Sequence, residues 1–490
     1  MHRAARARSR LARLWLAALL LTCLPALAQS ATPAPRPDEQ FDFMNLLHAR
    51  GLHDIHDEDW NAYGQFTYLS SWKNGFSAPY TNLNGSTGSL STAPERSFTA
   101  TLTLYLGLRL WPGAEFYLVP ELISERPLSQ LKGLAGAIQN FELQKGGGES
   151  LALYRSRMIL KQTFGLGGER VVKESDPMQL GVSYDRRRLV LVVGNFSTLD
   201  LFDRNSVLGD LRQSFFSLSF LTYAAWDFSS DARGYAWGAA AELYWDDWAV
   251  RLSRMTPPAL PNQLPVTFQL DRFYGDQLEL EHTHHLFGQE GVVRLVAYRN
   301  RVVVGRFDEA LQDFQAHPGH TATTCTGFNY GSQNASAPDL CWVRRPNVKL
   351  GVGLSLEQHL TPDVGIFVRG MYSDGETEVD AYTSTDRSLS LGVVGRGSLW
   401  SRRADVAGVG LSVGWISAVH AEYLRLGGVD GFLGDGNLEV APETTLELFY
   451  SVNFLSSLWL SVDFQRILAP GFNAARGPVD VFGVRLHAEF

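Results

Sequence analysis

Val479 to Phe490 reads VDVFGVRLHAEF. Phe482, Val484, Leu486, Ala488 and Phe490 share one parity; Gly483, Arg485, His487 and Glu489 share the other. A period of two puts these sets on opposite faces of a β-strand. A soluble sheet can use the apolar face as core. A membrane barrel turns it to lipid, keeps the polar face in the lumen and sets aromatics at the interface. Because the strand closes on Phe490, it fits the second arrangement, and the rest of the chain must decide.

Ser97 to Leu110 alternates in the same way. Phe98, Leu102, Leu104, Leu106, Leu108 and Leu110 lie on one face; Thr99, Thr101, Thr103, Tyr105, Gly107 and Arg109 lie on the other. That run is long for a globular strand and suits a tilted membrane strand. In Leu151 to Phe164 the parity sets Tyr154, Met158, Leu160 and Phe164 toward lipid and Arg155, Arg157 and Lys161 toward water. Three cations on one face cannot meet hydrocarbon. Similar runs recur to the terminus and give seventeen candidate strands, among them Ala62–Trp72, Met178–Asp185, Trp248–Met255 and Glu443–Phe454. Short links such as Asp246-Asp247 and Thr361-Pro362 alternate with long ones at 302–346 and 418–442. Such alternation is expected of periplasmic turns and outer loops. Two termini on one side require an even count, so one strand assignment between residues 114 and 233 must fail, or Phe216–Ala225 is an extra strand.

Residues 1–28 carry five arginines, an apolar run from Leu14 to Leu24 and Ala26-Leu27-Ala28. They read as a signal peptide cleaved after Ala28. The chain's formal charge is −8, and removing those arginines leaves about −13, the wrong sign for a nucleic-acid partner. Beyond the signal no apolar run is long enough for a transmembrane helix, but strands that close on themselves can also span. The 46 glycines suit turns and a crowded lumen, and the 28 Phe, 17 Tyr and 12 Trp suit two aromatic girdles. Residues 29–59 read as a periplasmic lead-in with a short helix over Asp42–Arg50, and 60–490 as the barrel. Cys325 and Cys341, sixteen apart in one polar loop, point to a disulfide in an oxidising compartment. Free thiols or a metal pair are the alternatives, and no histidine at ligand spacing accompanies the cysteines.

Several blocks together resemble the carbohydrate-selective porins of the OprB type. They include QFTYLSSWKNGFSAPY (65–80), TATLTLYLGLRLWPG (99–113), RMILKQTFGLGG (157–168), VGNFSTLDLFDRN (193–205), AWDFSSDARGYAWG (225–238), GGVDGFLGDGNLEVAPE (427–443) and the stretch from Asp463 to Phe490. The segment after Tyr80 keeps the family pattern only loosely. The resemblance implies an all-β, antiparallel transmembrane barrel of sixteen strands rather than eighteen. Its implied function is passive diffusion of small sugars such as glucose across the outer membrane. The implied partners are small carbohydrates, outer-membrane lipid, lipopolysaccharide and the barrel assembly machinery, with no cofactor and no metal.

A sugar pore needs planar hydrogen-bond donors and apolar faces for the pyranose ring, with binding weak enough for exit. Arg109, Arg155, Arg157 and Lys161 are lumen candidates by parity. The segment 196–234 is the candidate for a loop folded into the barrel, with Asp203, Arg204, Asn205, Trp226, Asp227 and Arg233 as pore-lining or sugar-contact candidates. Its charges can equally serve to fix the loop. Enzymatic readings fare worse. Gly410-Leu411-Ser412-Val413-Gly414 has the form G-x-S-x-G but lies in an alternating strand without the following helix. The cluster His282, His284 and His285 lacks a metalloprotease frame. A hydrolase on a barrel and a plugged structural or adhesive barrel are the competing functions. Phe490 reads as an interface anchor and assembly signal. Deleting it is expected to lower outer-membrane insertion, measured by fractionation and heat-modifiability on gels, while channels that do assemble keep their conductance.

Overall fold

The computed structural model describes residues 42–143, 148–286 and 288–490; the expected signal peptide and the start of the expected lead-in lie outside them. The barrel runs β1 (Trp60–Lys73), β2 (Glu95–Trp111), β3 (Ala114–Arg126) and β4 (Ala152–Gly165). A hairpin of β5 (Arg170–Lys173) and β6 (Val182–Asp185) follows. Then come β7 (Arg188–Phe196), β8 (Ala236–Trp245), β9 (Trp248–Met255), β10 (Tyr274–Leu286), β11 (Gln289–Val304) and β12 (Arg345–Thr361). The last six are β13 (Val364–Ser373), β14 (Arg387–Arg396), β15 (Val406–Trp415), β16 (Glu443–Phe454), β17 (Leu458–Leu468) and β18 (Val479–Glu489). Sixteen of these strands form one closed antiparallel barrel, with β4 paired directly to β7 and β1 to β18. Among the described residues no helix is long and apolar enough to cross a membrane.

Closure is the work of the terminal strand. Gln65 to Lys73 pairs with Glu489 to Val481 in unbroken register. Beyond the ladder, Gly64 and Phe490 exchange two backbone hydrogen bonds of 2.7 and 2.9 Å. The Phe490 ring lies over Gly64, where a Cβ would stand 2.2 Å from it, so a larger residue there would displace the ring. The parity read from the sequence holds: Leu486 and Phe490 are exposed on the outside, while Arg485 and His487 are fully buried within. Leu104, Leu106, Leu108 and Leu110 are likewise exposed, and Thr99, Thr101 and Thr103 are not. Aromatics cluster at both rims, as in the stacked pair Trp72–Phe482 and the tilted pair Trp400–Tyr450.

Two sequence expectations fail for physical reasons. Met178–Asp185 is not a barrel strand; only Val182–Asp185 is extended, in the hairpin with β5. Met178 has φ +60°, and Gly181 donates to Glu58, so the segment turns under the barrel instead of joining its wall. The second failure is on β4. Its pairing with β3 slips between Val119 and Pro120, so Ser156 is an extra, bulged residue. A bulge reverses the parity of what lies beyond it. Tyr154 therefore points inward to Glu121. Arg155 points outward, its guanidinium 4.9 Å from the Trp237 ring, a placement suited to the interface. Phe216–Ala225 is no strand either; it contains a 3-10 turn at Leu218–Phe220.

Among the described residues three short α-helices lie outside the wall: α1 (Phe43–Ala49), capped by Asp42, α2 (Phe307–Ala316) and α3 (Ala418–Arg425), capped by Ser417. Cys325 and Cys341 form a disulfide in the outer loop that carries α2. On α3, His420 is buried between Asp386 at 3.0 Å and Asp430 at 3.4 Å and stacks on Phe307. Burial opposes its charge, but the two carboxylates outweigh burial and raise it to about 9. A raised histidine contributes fully below its unfolded pKa near 6.5 and loses that contribution as pH passes through the folded value. The hydrogen-exchange protection of α3, corrected for intrinsic rate, is expected to fall between pH 6.5 and 9.5 by up to about 3 kcal/mol. His420→Gln should abolish that dependence.

Candidate pore lining

The connection between β7 and β8, residues 197–235, folds back inside the barrel. Phe202, Tyr223, Trp226 and Phe228 pack against the inner face, where the strands present Val190, Val192, Val296, Tyr298 and Met371. A second cluster sets Phe215 and Phe220 against Phe367 and Phe449. The lumen wall is thus apolar under the loop's aromatic side chains. Gly410 belongs to this seat: a Cβ there would stand 2.7 Å from the Phe220 ring. The G-x-S-x-G stretch is a recess for an aromatic, and its Ser412 is paired within the sheet opposite Ser390.

A loop taken out of water must find partners for its backbone. The inward strand residues provide them. Glu279 accepts from Asp203 N at 2.9 Å, Glu357 from Ser206 N at 3.0 Å, and Glu447 from Phe216 N and Ser217 N. Arg485 donates to the carbonyls of Leu211 (2.6 Å) and Ser214 (2.8 Å) and lies 4.1 Å from the Phe216 ring. Arg369 donates to Asp203 Oδ2 at 2.8 Å and to the Phe220 carbonyl at 2.9 Å. These contacts hold Asp203 in the left-handed region at φ +52°, which Asp tolerates better than most residues.

Farther out, Asp227 takes Lys349 Nζ at 2.8 Å and the backbone N–H groups of Asp380, Ala381 and Tyr382 at 2.7, 3.0 and 2.7 Å. Burial opposes its charge, yet these donors keep its carboxyl below the usual range. Neighbouring Asp380 is pushed well above that range by burial and by the Asp227 charge. Asp227 therefore ties the inward loop to the outer loop 374–386.

Between this loop and the periplasmic segment 174–181 lies a cavity of about 820 Å³, within the range of small-molecule sites. Its wall carries a belt of alternating charge on five successive strands: Glu242, Arg251, Glu281, Arg294 and Glu357. The links are Arg251 to Glu242 at 3.2 Å and to Glu281 at 3.0 Å, and Arg294 to Glu281 at 2.6 Å and to Glu357 at 3.1 Å. Each arginine is fixed by its carboxylates. Beside the belt, Arg188 lies between two rings, 3.9 Å from Tyr244 and 4.4 Å from Tyr184. Lys161 pairs with Glu115 at 3.0 Å. At the periplasmic side, burial and the nearby Glu489, Asp210 and Asp42 push Asp176 up to about 7.

Of the residues singled out from sequence, Lys161, Asp203, Arg204 and Asn205 line this cavity. Arg157 sits behind it, paired with Asp200 at 2.7 Å. Arg109 is at the periplasmic rim, 2.8 Å from Asp57. Trp226 and Asp227 are fully buried in the loop's seat, and Arg233 stacks 4.5 Å over Tyr154. Trp226, Asp227 and Arg155 thus have no access to the cavity. Arg188, Arg251, Arg294 and Tyr244 were missed, although the parity rule that singled out Lys161, applied to β9 and β11, picks out Arg251 and Arg294.

Replacing Arg485 with Met strands two buried carbonyls, at about 1–3 kcal/mol each. The loop should loosen: single-channel recordings of Arg485→Met are expected to show larger and noisier conductance than the parent.

Over residues 87–490 the chain matches the family described as "Carbohydrate-selective porin, OprB family". No curated protein matches it. Among solved structures, the high-pH structure of Pseudomonas putida OprB is 15% identical, with a TM-score of 0.64 over 88% of this chain and 94% of that one. Its low-pH structure is 13% identical, with a TM-score of 0.47 over 91% and 98%. Pseudomonas aeruginosa OccK2 in complex with glucuronate is 10% identical, with a TM-score of 0.42 over 89% and 99%.

Proposed function

We propose, from the premise that this chain belongs to the carbohydrate-selective porin family, that it is a passive outer-membrane channel for small neutral sugars such as monosaccharides. One observation carries the reading: the cavity inside a closed barrel is walled by fixed guanidinium groups beside aromatic rings. Guanidinium groups present planar donors to paired hydroxyls, and the rings of Tyr184 and Tyr244 offer apolar faces to the C–H side of a pyranose. Because each arginine of the belt is already neutralised by carboxylates, the site favours polar, uncharged solutes over anions. Carboxylates also hold the arginines in place, so donor geometry need not be organised anew for each passage. Weak contact of this kind is what a conducting site requires.

Export through a cleaved signal, insertion by the assembly machinery with Phe490 as its signal, and contact with lipopolysaccharide belong to the same reading. The exposed leucine rows support the lipid contact.

Liposomes carrying the purified protein are expected to swell in glucose several-fold faster than protein-free liposomes. Arg188→Ala or Arg251→Ala should lower the ratio of sugar flux to ion conductance. Swelling no faster than the protein-free control would sink the reading and favour a plugged barrel.

A further inference from the structure

The outer loop between β11 and β12 holds a cluster that the channel does not use. Asp313 lies on the last turn of α2, His317 caps that helix, and His320 follows. His317 Nδ1 is 3.1 Å from Asp313 Oδ1, and His320 Nδ1 is 2.8 Å from Asp313 Oδ2. The ligand atoms of all three residues lie within 4.8 Å of one another. We propose that these three side chains form a binding site for a divalent transition metal, of the zinc class, on the extracellular face of the barrel.

Geometry carries the first part. Donors about 2.0–2.1 Å from a zinc ion stand roughly 3–3.4 Å apart; each imidazole already meets an Asp313 oxygen at about that spacing, and the widest separation within the cluster, at most 4.8 Å, closes to admit the ion. The i, i+4 step from Asp313 to His317 puts both on one side of the helix end. His320 is then brought back by the turn, His320 N donating to the His317 carbonyl at 2.8 Å.

Rigidity carries the second. The His320 ring stacks on Trp342 at 4.0 Å with planes 7° apart, and the His317 ring stacks on His320 at 4.7 Å. Trp342 Nε1 donates to the Thr321 carbonyl at 3.1 Å. Cys341, next to Trp342, is tied to Cys325, five residues past His320. The disulfide therefore fixes the platform under the imidazoles. At the other end Phe307 and Ala310 bury the start of α2.

Chemistry names the ion. Two imidazoles and one carboxylate suit Zn²⁺, Ni²⁺ or Cu²⁺, whereas Ca²⁺ and Mg²⁺ call for all-oxygen sets. Both cysteines of this loop are consumed by the disulfide, so neither offers the ion a thiolate. The side chains are 23% (Asp313), 59% (His317) and 34% (His320) exposed, so water can complete the coordination shell. The ion would brace α2 against the disulfide arm. The inference does not depend on which solute the channel passes.

The test uses the full-length protein in detergent, free of affinity tags and stripped with chelator. Zinc binding is measured by calorimetry and by elemental analysis after dialysis. One equivalent per chain is expected, weakened at least tenfold in both His317→Ala and His320→Ala. His285→Ala, an exposed histidine at the other end of the barrel, should bind as the parent does. Cobalt(II) should give a visible absorption band that both loop variants lose. Equal zinc affinity in the parent and in the His317→Ala/His320→Ala double variant overturns the proposal, as does a parent that binds none. His317 is exposed and His320 half-buried; unchanged heat-modifiability of the variants excludes misfolding of the barrel as the cause.

Discussion

In hydrocarbon a backbone N–H or C=O without a partner costs several kcal/mol, because no water can replace it. Every strand of the wall must therefore have two neighbours, and the last must meet the first. Here that seam is the ladder between β1 and β18, completed by the exchange between Gly64 and Phe490. The alternation of faces, the even count and the two rims all follow from this closure. The hairpin β5–β6 shows the same rule by exception. Its short strands stay out of the wall, and β4 and β7 pair across the gap they leave.

Closure creates a second interior, and the same constraint acts there in a different solvent. The loop 197–235 enters the lumen and loses water on most of its surface. Strand carboxylates take up its N–H groups, strand arginines take up its carbonyls, and its aromatics fill recesses in the wall. Removing one partner of such a buried arrangement is more costly than the arrangement is stabilising, since the other partner is left bare. Most inward charges near the loop are therefore structural. The charges that face the cavity include those of the belt and of Lys161, Arg188 and Arg204.

This division explains which site residues were readable. Lys161 could be placed because unbroken alternation carries a charge to one face. Arg155, six residues earlier in the same strand, could not, because the bulge at Ser156 depends on how β4 meets Pro120 of β3. Proline has no N–H for the ladder, and nothing within β4 itself announces its neighbour's proline. Trp226 and Asp227 sit in a segment correctly read as turning inward. Composition does not distinguish a residue that faces the cavity from one that faces the wall, and both of these face the wall.

The order of residues alone pointed to the membrane, to the parity of strands free of bulges and to the family, because period-two alternation is a local property that each strand carries by itself. It also pointed to the one long connection dense in mixed charge that turned out to fold inward. The tertiary structure decided the rest. It decided which candidate strand was left out, where the parity reversed, and which arginines meet the cavity rather than grip the loop. Those outcomes depend on partners far apart in the chain, such as Arg485 with Leu211, or Asp227 with Lys349. Desolvation selects such pairs only once the barrel has closed around them.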